Sequence, residues 1–368
     1  MSFNSREFLK DMFDAALTKV KGAESLIKCL PEKPKGRTIV IGAGKAGGAM
    51  AKVVEDNWSG DLEGLVVTRY GHGVKTKRIE VVEASHPTPD EAGRNAAKRI
   101  YKMVQGLSKD DLVICLISGG GSALLSLPAP EIPLEDKQAM NKMLLKSGAD
   151  IAEINSVRKH ISAIKGGRLA KAAYPAKIVA MLISDVPGDD PSVIASGPTV
   201  ADPTTFEDAR EVIKKYGLNP PDSIKKYLEE AKEETPKAGS KYLENVTVHM
   251  LATPQDALDE AARFARSRGF ETIILGNALE GEARDVAKVH AGIVKQIKGF
   301  SQPIKKPCVI LSGGETTVTV KGNGKGGRNA EFSLALAMAL KGMERLLVIP
   351  MELMVSKMRR VRLLPQIL

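Results

Sequence analysis

A glycine turn that contains a lysine is the first segment of this chain whose residue types could do chemistry. Gly42, Gly44 and Gly47 follow an apolar run at residues 38–41 and precede a helical pattern, with Lys45 between them. This segment, the first turn, would combine backbone N–H groups, the positive end of a helix dipole and an ammonium group, which suits a phosphate or a carboxylate. An exposed lysine on a purely structural turn is the simpler interpretation.

The same glycines satisfy the G-x-G-x-x-G pattern of dinucleotide-binding folds, which gives another interpretation. That pattern also requires an acidic residue near the end of the second strand, where it holds a ribose hydroxyl. Here Arg69 directly follows the second strand-like run, residues 65–68, and Asp61 and Glu63 precede that run. An NAD(P)H site would therefore lack the acidic residue that holds the ribose. Arg69 would instead be the residue that binds the 2′-phosphate of NADP(H).

The second turn, Ser118-Gly119-Gly120-Gly121-Ser122, follows an apolar run at residues 112–117. Three consecutive glycines allow the backbone to approach an anion closely, and the serine hydroxyls add donors. A phosphate cradle and a flexible turn both agree with this sequence.

Carboxylates collect in a third segment, beyond a very apolar run at residues 177–183. Asp185, Asp189 and Asp190 lie there among proline and glycine residues. Acids at the carboxyl end of a strand suit Mg²⁺ or a general base for a substrate hydroxyl. A solvated turn is the simpler interpretation of this segment taken alone.

Two further clusters are cationic. Arg158 lies on a helical pattern and Lys165 follows it, while Arg328 and Asn329 open a later helical pattern, where a helix N-terminus would favour an anion. The histidines near the candidate segments are His86 and His160. The other three show no metal-ligand spacing, and we interpret them as structural.

Strand-like and helical patterns alternate along the chain, and these elements must position the candidate residues. The strand-like runs are residues 38–41, 65–68, 79–83, 112–117, 177–183, 246–252, 272–275, 309–311 and 316–320. The helical patterns are residues 45–57, 90–104, 136–147, 254–267, 283–297 and 329–340, after one or two helices in the first thirty residues. This alternation predicts an α/β fold with largely parallel sheets, which bind ligands at the carboxyl ends of their strands.

Length and composition set the class of protein. A chain of 368 residues with 43% hydrophobic and 27% charged residues predicts a globular protein of two domains. No apolar run reaches the roughly 18 residues of a membrane span, and the N-terminus lacks a signal-peptide layout, so we expect a cytoplasmic protein without a membrane partner. The net charge of +10 could indicate nucleic acid, but aromatic residues are only 4% and most cations alternate with acids. We therefore expect no nucleic-acid partner.

A charged stretch at residues 220–241 predicts the boundary between two domains, 1–235 and 244–368. A short internal repeat agrees with two similar halves. One strand-like run leads into the second turn, and another leads into Ser312-Gly313-Gly314-Glu315.

These segments together resemble the glycerate 2-kinase family, whose C-terminal half is called the MOFRL domain and whose members are often labelled hydroxypyruvate reductase. The matching segments are residues 42–46, 85–87, 118–125, 155–162, 165–169, 184–189, 195–199, 312–315 and 327–331. The resemblance implies transfer of the ATP γ-phosphate to the 2-hydroxyl of D-glycerate with Mg²⁺, which gives 2-phosphoglycerate. It also implies a Rossmann-like, largely parallel sheet followed by a smaller α/β domain of the MOFRL type, with the active site in the cleft.

Carried over to this chain, the resemblance makes Lys45 and Arg328 the charges that stabilise the transferring phosphate, one from each domain. Asp185 or Asp189 becomes the base or the Mg²⁺ ligand. The remaining implied residues are Glu315 and Asn329 near the nucleotide or metal, and Gly44, Ser118, Gly119, Gly120, Gly121, Ser122, Arg158 and Lys165 for substrate or phosphate. Phosphoryl transfer requires in-line positioning and cations around spreading negative charge, so the residue types agree with this function.

The last residues depart from the family pattern. After residues 345–349 the family continues T-D-G-I-D-G-P and then D-A-A-G-A, whereas this chain continues Met351-Glu352-Leu353. Codons chosen for residues 349–355 give T-D-G-I-D-G when they are read one base earlier, and codons for residues 357–363 give D-A-A-G-A-I. We therefore expect a frameshift near Ile349. It would account for +3 of the net charge, because residues 351–368 hold four Lys or Arg and one Glu.

Two other functions stay open at this point. An NAD(P)H-dependent hydroxypyruvate reductase would use the first turn, but the sequence shows no evident pair of a histidine and a carboxylate for hydride transfer. A non-catalytic sugar-phosphate or nucleotide-binding protein would explain the glycine turns but would leave the acidic segment without a role. The oligomeric state also stays open, a homodimer included.

Overall fold

The computed structural model describes residues 4–322, 324–341, 343, 346 and 348, in two compact units. The sheet unit comprises Ala23–Asp185 and Asp189–Leu251. The terminal unit comprises the residues up to Gly22, Val186–Gly188 and the residues from Ala252 on. The segment from Ile349 on, where we expect a frameshift, lies outside the described residues.

The elements of both units follow one another in the predicted alternation. The helices are α1 Ser5–Val20, α2 Ala23–Lys28, α3 Gly47–Asn57, α4 Glu91–Met103, α5 Gly121–Leu124, α6 Leu134–Lys146, α7 Ile151–His160, α8 Arg168–Ala173, α9 Phe206–Lys215, α10 Asp222–Glu230, α11 Pro254–Ser267, α12 Ala283–Phe300 and α13 Arg328–Ala339. The strands are β1 Thr38–Ala43, β2 Glu63–Arg69, β3 Ile79–Ala84, β4 Leu112–Ile117, β5 Lys177–Ile183, β6 Val246–Ala252, β7 Glu271–Ile274, β8 Leu279–Glu282, β9 Cys308–Leu311 and β10 Gly314–Thr317.

The sheet unit is built on six strands in the order β3-β2-β1-β4-β5-β6. The pairs β2 with β3, β1 with β2, β1 with β4 and β4 with β5 are parallel. The central strands β1 and β4 are buried along their whole length, which explains their continuous apolar sequences. This topology confirms the α/β fold with a Rossmann-like sheet. Its strand order reverses between β1 and β4, which is where such sheets bind ligands.

Side-chain caps determine where several helices begin. The Asp90 side chain accepts a hydrogen bond from the Gly93 N–H at the start of α4. Reciprocal capping boxes open α7, between Asp150 and Glu153, and α9, between Thr205 and Asp208. These caps satisfy N–H groups that the first helical turn leaves without partners.

The stretch at residues 220–241 folds into the sheet unit instead of linking the two units. It contains α10, whose Ile224 and Leu228 are buried in one apolar cluster with Phe206 and Val212 of α9. The contact division therefore falls at Leu251 and differs from the predicted boundary. Most residues of α10 are charged or polar and only Ile224 and Leu228 are buried, so the sequence of this helix resembles a linker.

The terminal unit joins the first helix of the chain to the later elements. The Phe8 ring of α1 stacks on Phe270 at 4.7 Å between centroids and lies 5.8 Å from Phe264 of α11. Two parallel strand pairs, β7 with β9 and β8 with β10, accompany α12 and α13. The sequence does not predict β8, because Leu279-Glu280-Gly281-Glu282 has one apolar residue, and β10 begins two residues before the predicted run at 316–320. In the described part of the chain, no helix is long and apolar enough to cross a bilayer.

Candidate active site

The strand order brings the first and second turns together at the point where it reverses. The N–H of Lys45 donates to the Gly119 carbonyl at 2.8 Å, and the N–H of Ala46 donates to Ser118 Oγ at 3.0 Å. In return, the N–H of Ser118 donates to the Ala43 carbonyl at 3.1 Å. The two turns therefore form one rigid surface at the carboxyl ends of β1 and β4.

Two glycines of the first turn are required by this close approach. A methyl group on Gly42 would lie 2.1 Å from the Leu116 carbonyl oxygen, and one on Gly44 would lie 2.1 Å from Ser118 Oγ. In dinucleotide-binding folds, the second glycine of the pattern leaves room for a pyrophosphate. Here a protein hydroxyl fills that space, which counts against the NAD(P)H interpretation.

The second turn is equally crowded. Gly120 has a φ of +82°, a left-handed conformation that favours glycine. A methyl group on Gly119 would lie 1.8 Å from Asp185 Oδ2, and one on Gly121 would lie 2.7 Å from the Ala195 Cβ. Gly119 and Gly121 therefore bring the backbone after β4 into contact with the segments that follow β5.

Three ionisable side chains from different strands converge on this glycine surface. Lys45 Nζ lies 3.6 Å from Asp185 Oδ2, and both groups remain partly exposed. A methyl group on Gly120 would lie 3.4 Å from Lys45 Cε and 2.9 Å from both Cδ2 and Nε2 of His86. Burial and the positive charges of Lys45 and Arg69 lower the pKa of His86, while the charge of Asp185 acts in the opposite direction.

Asp189 lies on the same acidic segment as Asp185. Its backbone adopts a φ of +54°, and its Oδ1 atom is buried without a hydrogen-bond partner among the described residues. Carboxylate oxygens of this kind fit Mg²⁺, which needs one or two of them when nucleotide phosphates supply the remaining ligands. The described part of the chain has no cluster of three or more His, Cys, Asp or Glu residues that could hold a metal by themselves.

The predicted cations of the α7 region lie in the interior. Lys165 is 2% exposed, and its Nζ donates to the Ser122 carbonyl at 2.9 Å and to the Ala195 carbonyl at 3.3 Å. Burial, with the neighbouring charges of Lys137 and Arg158, holds the pKa of Lys165 well below its usual range. Lys165 therefore contacts the second turn through the backbone of Ser122.

Arg158 and Ser122 have protein partners of their own. Arg158 Nε donates to Asn141 Oδ1 at 3.1 Å, and burial lowers the pKa of Arg158. The Ser122 hydroxyl lies 2.9 Å from that of Ser196. Their roles toward a substrate or phosphate stay predictions.

The predicted residues of the terminal unit form a second cluster. Arg328 is the first residue of α13 and forms an ion pair with Glu315 of β10. Asn329 follows it in the first turn of α13, where its carbonyl accepts a hydrogen bond from Ser333 Oγ at 2.5 Å. Arg328 belongs to a different unit from Lys45, so their convergence stays a prediction.

His290, for which we predict a structural role, contacts the serine that precedes the turn of Glu315. Its Nδ1 lies 2.8 Å from the Val286 carbonyl oxygen, so that nitrogen must donate. Its Nε2 lies 3.0 Å from Ser312 Oγ, within hydrogen-bond distance. The hydroxyl that precedes the Gly313-Gly314-Glu315 turn is thereby held in place.

Comparisons with known proteins match most of the chain. A family model described as "Domain of unknown function (DUF4147)" matches residues 8–229, and one described as "MOFRL family" matches residues 308–352. The chain is 44% identical over 317 residues to the D-glycerate 2-kinase of Thermotoga maritima, with 86% of this chain and 74% of that protein covered. The chain belongs to the glycerate kinase family.

A solved structure and a further protein sequence are also similar to this chain. A crystal structure of glycerate kinase from Thermotoga maritima superposes with a TM-score of 0.80 at 42% identity, covering 92% of this chain and 80% of that one. A protein of Agrobacterium vitis named "Putative hydroxypyruvate reductase" is 53% identical over 342 residues, covering 92% of this chain and 77% of that protein. The resemblance and the α/β fold class predicted from sequence are thus confirmed.

Proposed function

We propose that this protein transfers the γ-phosphoryl group of ATP to the 2-hydroxyl group of D-glycerate. The convergence of Lys45, Asp185 and the two glycine turns at the reversal of strand order carries the proposal. It supplies a cation and a carboxylate beside a close-packed glycine backbone. The relative from Thermotoga maritima that is named D-glycerate 2-kinase supports the acceptor and the position of transfer.

Lys45 serves as the charge that stabilises the transferring group. Negative charge spreads over the phosphoryl oxygens in the transition state, so a fixed ammonium group lowers its free energy more than that of the bound substrates. The backbone bonds that link the two turns keep Lys45 in place before ATP binds. Arg328 is the second cation that the resemblance implies, and its approach to the phosphate stays a prediction.

Asp185 and Asp189 are the residues that would hold Mg²⁺. Bound there, the ion would neutralise charge on the nucleotide phosphates. Asp185 also forms an ion pair with Lys45, which holds the ammonium group near the glycine surface.

A paired assay tests the function directly. ADP release is measured with D-glycerate and Mg²⁺-ATP, and NAD(P)H loss is measured with hydroxypyruvate. We expect ADP release that depends on D-glycerate, with the phosphate on the 2-position by NMR of the product. NAD(P)H loss without ADP release would overturn the kinase proposal in favour of the reductase.

Two substitutions test the site assignment in the same assay. Lys45→Ala and Arg328→Ala should each lower kcat/KM by about 10²-fold or more, because each removes charge compensation that is strongest in the transition state. Lys52→Ala is the matched control, since Lys52 forms an i,i+4 surface ion pair with Asp56 on α3. Unchanged turnover in both site variants would contradict the assignment.

A further inference from the structure

His86 lies in the candidate active site without a role in the function proposed above. It follows β3 in the segment Ser85-His86-Pro87, and its half-buried ring lies against the second turn at Gly120. His86 thus contacts the glycine surface that the proposed function assigns to the phosphate.

The geometry puts His86 beside the group that would hold the phosphate. Its Nε2 and Lys45 Cε lie over the same face of Gly120, 2.9 Å and 3.4 Å from the position of an added methyl group. The acceptor hydroxyl must lie next to the γ-phosphorus that Lys45 stabilises, since the displacement is in line. That hydroxyl would therefore be within reach of Nε2.

The charges around His86 favour its neutral form. They come from three elements: Lys45 after β1, Arg69 at the end of β2 and Asp185 after β5. Burial and the two cations lower the pKa of His86, and only Asp185 raises it. A neutral imidazole offers a lone pair for a proton, and neither ring nitrogen has a hydrogen-bond partner among the described residues.

Asp185 is less suited to the same task. Its Oδ2 lies 3.6 Å from Lys45 Nζ, so part of its charge is already compensated, and the function proposed above assigns it to Mg²⁺.

We infer that His86 is the general base that takes the proton of the acceptor hydroxyl, an inference that rests on the kinase function proposed above. The hydroxyl oxygen forms a bond to the γ-phosphorus while the bond from phosphorus to the β,γ-bridging oxygen breaks. ADP leaves with that bonding electron pair, and the hydroxyl proton passes to Nε2 of His86. Exchange with water then returns the ring to its neutral form.

The pH dependence of turnover tests this role. In the wild-type protein, kcat/KM should fall toward acidic pH when His86 gains a proton, measured between about pH 5 and about pH 8. His86→Gln should remove this acidic limb and lower kcat/KM on the neutral side by about 10²- to 10⁴-fold, because the amide cannot accept the proton. His249→Gln, on strand β6, is the matched control and should retain the wild-type profile.

A second measurement needs no turnover. Diethyl pyrocarbonate modifies accessible neutral imidazoles, and mass spectrometry reports the rate at each histidine. D-glycerate together with Mg²⁺-ADP should slow the modification of His86 and leave His249 unchanged. An unprotected His86, or an acidic limb that survives in His86→Gln, would overturn the inference. If wild-type protein releases no ADP with D-glycerate and His86 is unprotected, the kinase proposal itself fails; normal kinase activity in His86→Gln overturns the base alone.

Discussion

A buried histidine of the sheet unit, His160, forms hydrogen bonds at the end of α7. His160 is fully buried at the end of α7, with Nδ1 2.8 Å from the Ser156 carbonyl oxygen and Nε2 2.8 Å from Glu234 Oε1. The ring therefore links the backbone of α7 to the Glu234 side chain through hydrogen bonds. This histidine therefore anchors the end of α7.

The pair predicts how stability responds to acid. Burial alone would raise the pKa of Glu234, but hydrogen bonds from the N–H groups of Phe206 and Thr235 and from His160 lower it to about 2. Because this pKa lies below the ordinary value of 4.5, Glu234 stabilises the fold fully above about pH 4.5 and loses that contribution as the pH falls toward about 2.

Glu234→Gln should accordingly lower the thermal unfolding temperature at neutral pH, and the difference from wild type should shrink across that acidic window. Glu229→Gln is the matched control, since Glu229 is exposed on α10. Unfolding curves followed by circular dichroism at a series of pH values give the comparison. A difference that stays constant with pH would contradict the lowered pKa of Glu234.

At the scale of elements, a strained segment supports the second turn. Ala195 and Ser196 adopt φ values of 51° and 61°, which cost of order 1–3 kcal/mol each in residues other than glycine. Lys165 Nζ joins the Ala195 carbonyl to that of Ser122, and the Ser196 hydroxyl lies next to that of Ser122. The surrounding bonds therefore hold a costly backbone conformation against the turn that forms the site.

Substitution of one glycine separates backbone strain from crowding in the site. Gly120→Ala should destabilise the protein by about 1–2 kcal/mol through its left-handed backbone and also abolish most kinase activity, because the methyl group would meet the His86 ring. Gly106→Ala has a similar φ of +69° with nothing within 4 Å, so it should lose stability alone.

Urea unfolding and the ADP-release assay, run on both variants, distinguish the two effects. Equal activity in Gly120→Ala and Gly106→Ala would show that kinase activity does not need the space between Gly120 and the His86 ring.

At the scale of the whole molecule, the terminal unit leaves apolar side chains uncovered. Val289 of α12 and Leu334 and Met338 of α13 are 64%, 59% and 71% exposed. Apolar surface of this kind favours association with other molecules. Leu334 and Met338 lie on α13, which is the last described helix before the expected frameshift.

We therefore expect a version with the frame restored near Ile349 to bind less of the dye ANS and to unfold at a higher temperature than the present protein. Sequencing the gene across this point and comparing both proteins provides the test. A gene that encodes the present tail in frame, in a protein as stable and active as the restored one, would refute the frameshift.

The amino-acid sequence by itself determined the α/β class, most strand and helix positions, and the candidate residues Lys45 and Asp185 with the second turn. These depend on local patterns, since a buried parallel strand is a continuous apolar run and a turn after it must tolerate close approach. Family membership also followed from short motifs. Each motif alone is common, but the combination is specific.

Only the tertiary structure decided which of these residues meet. His86, Lys45 and Asp185 are far apart in the chain, and the order of the parallel strands brings them to one glycine surface. The same holds for α1, whose partner Phe270 lies in a distant segment, and for α10, which shares an apolar cluster with residues of α6 and α7. It holds also for β8, which pairs with β10. Local patterns specify an element, whereas contacts between distant residues depend on strand order and packing, which no local pattern encodes.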